Sequence, residues 1–154
     1  MGAYYLDSSA LVKRYVQERG TGWVTALTSP RSEHEIFIAL VTGAEVVAAI
    51  ARQARAGRLN TKDAVSIIEV FQSHFEAQYR VVLTLPSVVQ RAMELAQRHW
   101  LRGYDAIQLA SALAVQEELV LHGAEPLVFV SADEELNGAA RAEGLQVENP
   151  NTHS

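Results

Sequence analysis

What most constrains this chain is the alternation of short, unbroken apolar runs with longer segments patterned for helices. The runs are Tyr4–Leu6, Glu35–Leu40 (EIFIAL), Arg80–Leu85 (RVVLTL) and Leu127–Ser131 (LVFVS). A strand with one wet face alternates apolar and polar residues. Runs as continuous as these belong to strands covered on both faces, the pattern of a parallel sheet between helical layers. The intervening segments supply the helices: Ser9 to about Glu18, a short helix after the GTGW turn, and Thr42–Arg55, stopped by Gly57. Beyond them, Val65, Ile68, Phe71 and Phe75 recur near the helical period, Pro86 opens a helix to about Trp100, and YDAIQLASALAVQEEL forms another. A short helix runs from Asp133 to near Gly144, and LQVEN reads as a last edge strand. The expected fold is three-layer α/β/α with a central, mainly parallel sheet of four or five strands. Residues 1–148 form a single domain in this reading, and residues 149–154 a loose tail.

Composition narrows the function. With 154 residues, 49% apolar and 20% charged, the chain has enough material for one core and none of the bias of a disordered segment. It contains no cysteine, which removes disulfides, thiolate zinc sites and cysteine nucleophiles and suits a reducing cytoplasm. No apolar run approaches the roughly 20 residues of a membrane helix, and no secretory signal is visible, so no membrane partner is expected. The formal net charge of −5 argues against a protein that coats nucleic acid by charge alone. An enzyme gripping nucleic acid through metal ions beside a small basic patch stays compatible with it.

In such sheets ligands sit beyond the carboxyl ends of the strands, where helices begin. Asp7, Glu45, Asp105 and Asp133 all fall at helix starts. Each also has an ordinary structural use. DSS is a helix cap, TGAE pairs Thr42 with Glu45 as a capping box, and SADE pairs Ser131 with Glu134 while Asp133 favours the helix dipole. Were these carboxylates to converge, they would repel: two unit charges at 4 Å interact by about 4 kcal/mol even at an effective dielectric of 20. Such a cluster takes up protons or a cation, and all-oxygen donors suit Mg²⁺ or Mn²⁺.

Four blocks then tie the acids together: YLDSSALVKRY, TGAEVVAAIAR, RGYDAIQLASAL and FVSADEELNGAARAEGL. In content and order they resemble the PIN-domain nucleases, and within them the VapC-like toxins of toxin–antitoxin pairs. The resemblance spans almost the whole chain. It implies an acidic quartet of Asp7, Glu45, Asp105 and Asp133 as catalytic and metal-binding residues, supported by Ser9. Asp133 occupies the position at which relatives vary most. Gln108 stands where many relatives carry His, and Ser131 where Thr is more usual; neither change removes a carboxylate. The implied activity is divalent-metal-dependent hydrolysis of RNA phosphodiester bonds. The implied partners are an RNA substrate, a cognate antitoxin whose tail folds across the site, and a second copy of the chain in a homodimer.

Lys13 and Arg102, the basic residues nearest the site acids in sequence, are the expected RNA contacts, with Arg14, Arg52, Arg55, Arg58 and Arg98 as further cations. Trp23, Trp100, Tyr104 and the phenylalanines have faces that could stack on bases, but at helical spacing such residues are more often core and they are assigned no role; the five histidines form no ligand motif. A receiver domain or an Asp-x-Asp phosphatase fits poorly, because Asp7 is followed by Ser8 and Ser9. GTGWVT lacks a dinucleotide fingerprint's third glycine, and neither a phosphate-binding G-K-S/T loop nor a G-x-S-x-G elbow is present. The alternatives to a toxin nuclease are a non-catalytic PIN-like module that binds RNA or protein, and a housekeeping RNA-processing nuclease.

Overall fold

The computed structural model of the chain describes residues 1–153. Five parallel strands form one sheet: β1 (Ala3–Leu6), β2 (Glu35–Ala39), β3 (Arg80–Val82), β4 (Val128–Val130) and β5 (Gln146–Glu148), in the order β3-β2-β1-β4-β5. Among the described residues, seven α-helices flank it: α1 (Ser8–Leu11), α2 (Thr21–Thr28), α3 (Thr42–Arg55), α4 (Thr61–Ala77), α5 (Pro86–His99), α6 (Gly103–Leu121) and α7 (Glu134–Ala142).

The two-residue period of a strand divides the apolar runs between two cores. Ala3 and Tyr5 of β1, Ala39 of β2 and Phe129 of β4 face the layer of α5, α6 and α7. Leu6 of β1, Ile36 and Ile38 of β2, and Val130 of β4 face the layer of α1 to α4. The register sets Tyr5 beside both Phe37 and Phe129, and the Tyr5 and Phe129 rings stack at 5.7 Å. Both faces of the central strands are therefore dry, which is why their sequences show no alternation. The three-layer fold read from the sequence is the one observed, with five strands and every pairing parallel.

Three differences have physical causes. The helix expected to reach about Glu18 ends at Arg14, where the last turn tightens into a 3-10 turn over Val12–Arg14. The Tyr15 hydroxyl is drawn to His74 and Tyr79 at the end of α4, which directs the chain away from the helix axis. The third strand stops at Val82, because β3 is an edge strand and Leu83 and Leu85 stay exposed. The segment expected to be a loose tail carries a 3-10 turn over Pro150–Thr152, capped by the Asn149 side chain through the Asn151 amide at 2.8 Å. His153 stacks on Trp23 at 4.4 Å, while Ser154 lies outside the described residues.

The tail packs against the turn into α2. Gly20 has φ of +87°, and a Cβ there would meet the Pro150 carbonyl oxygen at 2.5 Å. Both the backbone conformation and the contact call for glycine. Gly20→Ala is expected to destabilise the protein by more than about 1 kcal/mol in urea unfolding. An unchanged midpoint would mean that the tail does not hold this turn.

Candidate active site

The strand order reverses beside β1: its sequence successor β2 lies on one side and β4 on the other. The crevice outside the carboxyl ends at such a reversal is where parallel sheets bind ligands. Asp7 follows β1, and its amide donates to the Val130 carbonyl at 3.1 Å, extending the β1–β4 ladder by one bond. Its side chain turns back over α1 as the helix cap: Oδ1 accepts from the Ala10 amide at 3.0 Å and from Ser9 Oγ at 2.7 Å. Oδ2 accepts from Ser131 Oγ, just past β4, at 2.7 Å. Ser9 Oγ in turn accepts from the Ala132 amide at 3.0 Å, so the two loops are laced together from both sides.

Asp7 is only 4% exposed. Burial first, and to a smaller degree the charge of Asp105, pushes its carboxyl up to about 6, against the hydrogen bonds from Ser131, Ser9 and Ala10 that favour the anion. Asp105 lies half-buried in the first turn of α6. Its carboxyl is also held above the usual range, by burial first and then by Asp133, Glu135 and Glu45, with Arg102 acting in the opposite sense. Asp133 is the cap of α7, its Oδ1 accepting from the Glu135 and Leu136 amides at 3.0 and 3.2 Å. Glu45 sits in the first turn of α3, where its charge reaches both Asp105 and the Tyr104 hydroxyl.

Asp105 and Asp133 share one cleft of about 320 Å³ with Trp100, Leu101, Arg102, Glu135 and Leu136. Asp7 and Glu45 are not in its wall and couple to Asp105 through their charges. None of the ion pairs among the described residues involves Asp7, Glu45, Asp105 or Asp133. Among the described residues, no three acidic or histidine side chains stand close enough to hold an ion as placed. The donor set nonetheless fits a hard divalent cation: carboxylate oxygens whose charges raise the proton affinity of Asp105, and through it that of Asp7, with the Arg102 guanidinium opposing them at Asp105.

A buried amide positions the elements that carry these acids. Gln108 Oε1 accepts from the Tyr5 hydroxyl at 2.6 Å, and its Nε2 donates to Thr42 Oγ1 and the Tyr104 hydroxyl, both at 2.9 Å. Tyr5 lies two residues before Asp7, Thr42 three before Glu45, and Gln108 three after Asp105. Thr42 is consequently the first residue of α3 and an acceptor for Gln108, not a capping residue; Val41 holds the cap position without a side-chain bond. The Ser131–Glu134 capping box is absent too. Ser131 is committed to Asp7, and Glu134 accepts from Asn149.

Of the expected RNA contacts, Arg102 is exposed at the start of α6 and lines the cleft. The Lys13 side chain is 5% exposed, and its Nζ bonds to Glu18 at 3.1 Å, so it is not presented to solvent. Arg14 donates to Gln78 and Tyr79, and Arg98 to Glu143. Sequence reading did not find Glu135, although its place two residues after Asp133 was the available signal. Nor did it find the role of Gln108, one helical turn beyond Asp105.

Comparison with known proteins identifies the family and the fold. The family model described as PIN domain matches residues 4–142. Ribonuclease VapC49 of Mycobacterium tuberculosis (strain ATCC 25618 / H37Rv) is 34% identical over 147 residues, covering 96% of this chain and 95% of the relative. Among solved structures, PAE2754 from Pyrobaculum aerophilum superposes with a TM-score of 0.65 at 23% identity, over 98% of this chain and 91% of that one. A toxin–antitoxin complex from Klebsiella pneumoniae superposes with a TM-score of 0.58 at 18% identity, over 96% of this chain and 97% of that one. From its matched residues, its relatives and its sheet, the chain belongs to the PIN domain family.

Proposed function

We propose that this chain is a divalent-metal-dependent endoribonuclease, the toxin of a toxin–antitoxin pair, acting in the cytoplasm. The observation that carries the reading is the meeting of Asp105 and Asp133 in one cleft at the sheet's switch point, under the fields of Glu45 and Glu135. The ribonuclease named among its relatives supports the chemistry, and the toxin–antitoxin complex among its structural neighbours supports an antitoxin partner. A second copy of the chain as homodimer partner belongs to the same reading.

In this reading Asp7, Asp105 and Asp133 hold Mg²⁺ or Mn²⁺, with Glu45 beside them. Bound there, the cation supplies Lewis acidity toward a phosphoryl oxygen and lowers the pKa of a water. Ser9 and Ser131 fix the Asp7 carboxylate by donating to opposite oxygens, so that its remaining lone pairs keep one direction. Glu45, which has no ion-pair partner among the described residues, is the group that accepts the proton of the attacking water at its carboxylate. Arg102, exposed at the cleft mouth, neutralises a phosphate of the RNA strand.

Mn²⁺ calorimetry on metal-stripped protein tests the site. Binding is expected in the native chain, no measurable heat in Asp7→Asn or Asp105→Asn, and affinity lowered about 10- to 100-fold in Ser131→Ala. Native binding that persists in both aspartate variants would sink the assignment.

The buried charge of Asp7 gives a second test. Its folded-state value is raised above 3.8 to about 6, so folding favours the protonated carboxyl. The penalty is absent below about pH 4, grows as pH rises through 6, and levels off near 3 kcal/mol. Without metal, Asp7→Asn is therefore expected to melt higher than the native protein at pH 7.5, with the gap closing toward pH 5. Mn²⁺ should raise the native midpoint and leave the variant's unmoved. A gap independent of pH between 5 and 7.5 would show that Asp7 is not the titrating group.

A further inference from the structure

Trp100 is the large side chain whose placement the fold does not explain. It is 88% exposed, and it closes α5 in the left-handed region at φ 57° and ψ 33°. Glycine is the usual residue at that position, because a Cβ there is unfavourable. Only Leu101 and Arg102 separate Trp100 from α6, so the reversal between the two helices requires this backbone conformation. It does not require an indole. A bulky residue thus carries a conformational cost with almost no burial in return.

The ring's surroundings identify what it meets. Trp100 lines the cleft that holds Asp105 and Asp133, together with Arg102 and Glu135. A protein partner's apolar anchor would need a continuous apolar wall, whereas most of this lining is charged. One flat aromatic face, one guanidinium and a set of acids suit a ligand that is planar and apolar on its faces, polar at its edges and anionic along its spine. Single-stranded RNA has that chemistry, and base–aromatic stacking is tolerant of sequence.

We infer that Trp100 is a stacking platform for a nucleobase of the single-stranded RNA, placing the adjoining phosphate between Arg102 and the carboxylates Asp105 and Asp133. The inference rests on the ribonuclease reading of the site. Trp100 binds and orients the strand and takes no part in proton transfer.

The probe is a fluorescein-labelled single-stranded oligoribonucleotide of mixed sequence, followed by anisotropy in EDTA at low ionic strength, where metal-dependent cleavage is silent. Trp100→Ala and Trp100→Gly are expected to weaken binding about 5- to 100-fold, with Trp100→Phe within about 3-fold of native. Trp100→Gly also relieves the backbone, so it should melt no lower than the native protein; its loss of affinity then reports the ring and not the fold. In Trp23→Phe, which leaves Trp100 as the sole tryptophan, the unlabelled oligoribonucleotide should quench indole emission. Native and Trp100→Gly proteins with equal affinity would overturn the inference and leave the ring to a protein partner, with the metal site untouched. No binding by the native protein would overturn it as well, and Mn²⁺ calorimetry then decides separately whether the carboxylate site stands.

Discussion

The structure depends on a buried carboxylate at the end of its central strand. Asp7 joins three pieces of chain: the β1 end that carries it, the start of α1 whose amide it caps, and the loop after β4 that sends Ser131 to its other oxygen. Because β1 and β4 are joined through a crossover of more than one hundred residues, this contact closes a loop of 124 residues at the site. The hydrogen bonds favour the anion and burial opposes it. Burial is the larger effect, which leaves Asp7 with a raised proton affinity and a standing demand for positive charge.

Around that point, the dry core holds the remaining acids in register. Tyr5 stacks on Phe129 in the core layer and sends its hydroxyl to Gln108, so a packing contact and a polar contact share one side chain. Gln108 distributes that constraint to Thr42 and Tyr104 and hence to the first turns that carry Glu45 and Asp105. An amide suits this place, having an acceptor at one end and two donors at the other. A neutral histidine offers only one of each, so the glutamine in this position satisfies one more hydroxyl than an imidazole could. With every hydroxyl around it engaged, the network favours a single arrangement of α3 and α6 against β1.

Much of this was legible in the sequence, and the limits have physical causes. Unbroken apolar runs such as EIFIA reported the parallel sheet, because full burial on both faces erases alternation. The acids pointed to a candidate site because parallel strands deliver chain ends to one edge. What could not be read were contacts set by partners far away in sequence. Thr42 looked like a cap until Gln108, 66 residues on, claimed its hydroxyl. Lys13 looked available from its distance to Asp7, yet the tightened turn folds it inward onto Glu18. Residues 149–153 looked loose because a polar, proline-containing end carries no periodicity. Their order comes from Pro150 lying against Gly20 and His153 against Trp23.

Capping and ligation are not competing accounts of the acids, and magnitudes show why. Asp, Asn and Ser cap helices about equally well, each worth about 1 kcal/mol over alanine. A carboxylate as buried as Asp7, with its proton affinity raised to about 6, costs about 3 kcal/mol as an anion at neutral pH. Asparagine would supply the Ala10 cap without that cost. Helix dipoles return about 0.3–1 kcal/mol to an acid in a first turn, which is too little to balance it. The cap therefore explains the shape of the turn at Asp7 but not its charge. Asp105 and Asp133 enlarge the same imbalance, since each adds negative charge to a cleft in which Arg102 is the cation present. A group of acids in which Asp7 and Asp105 carry raised proton affinities, with Asp7 braced by Ser9 and Ser131, is stabilised as anions by a divalent cation.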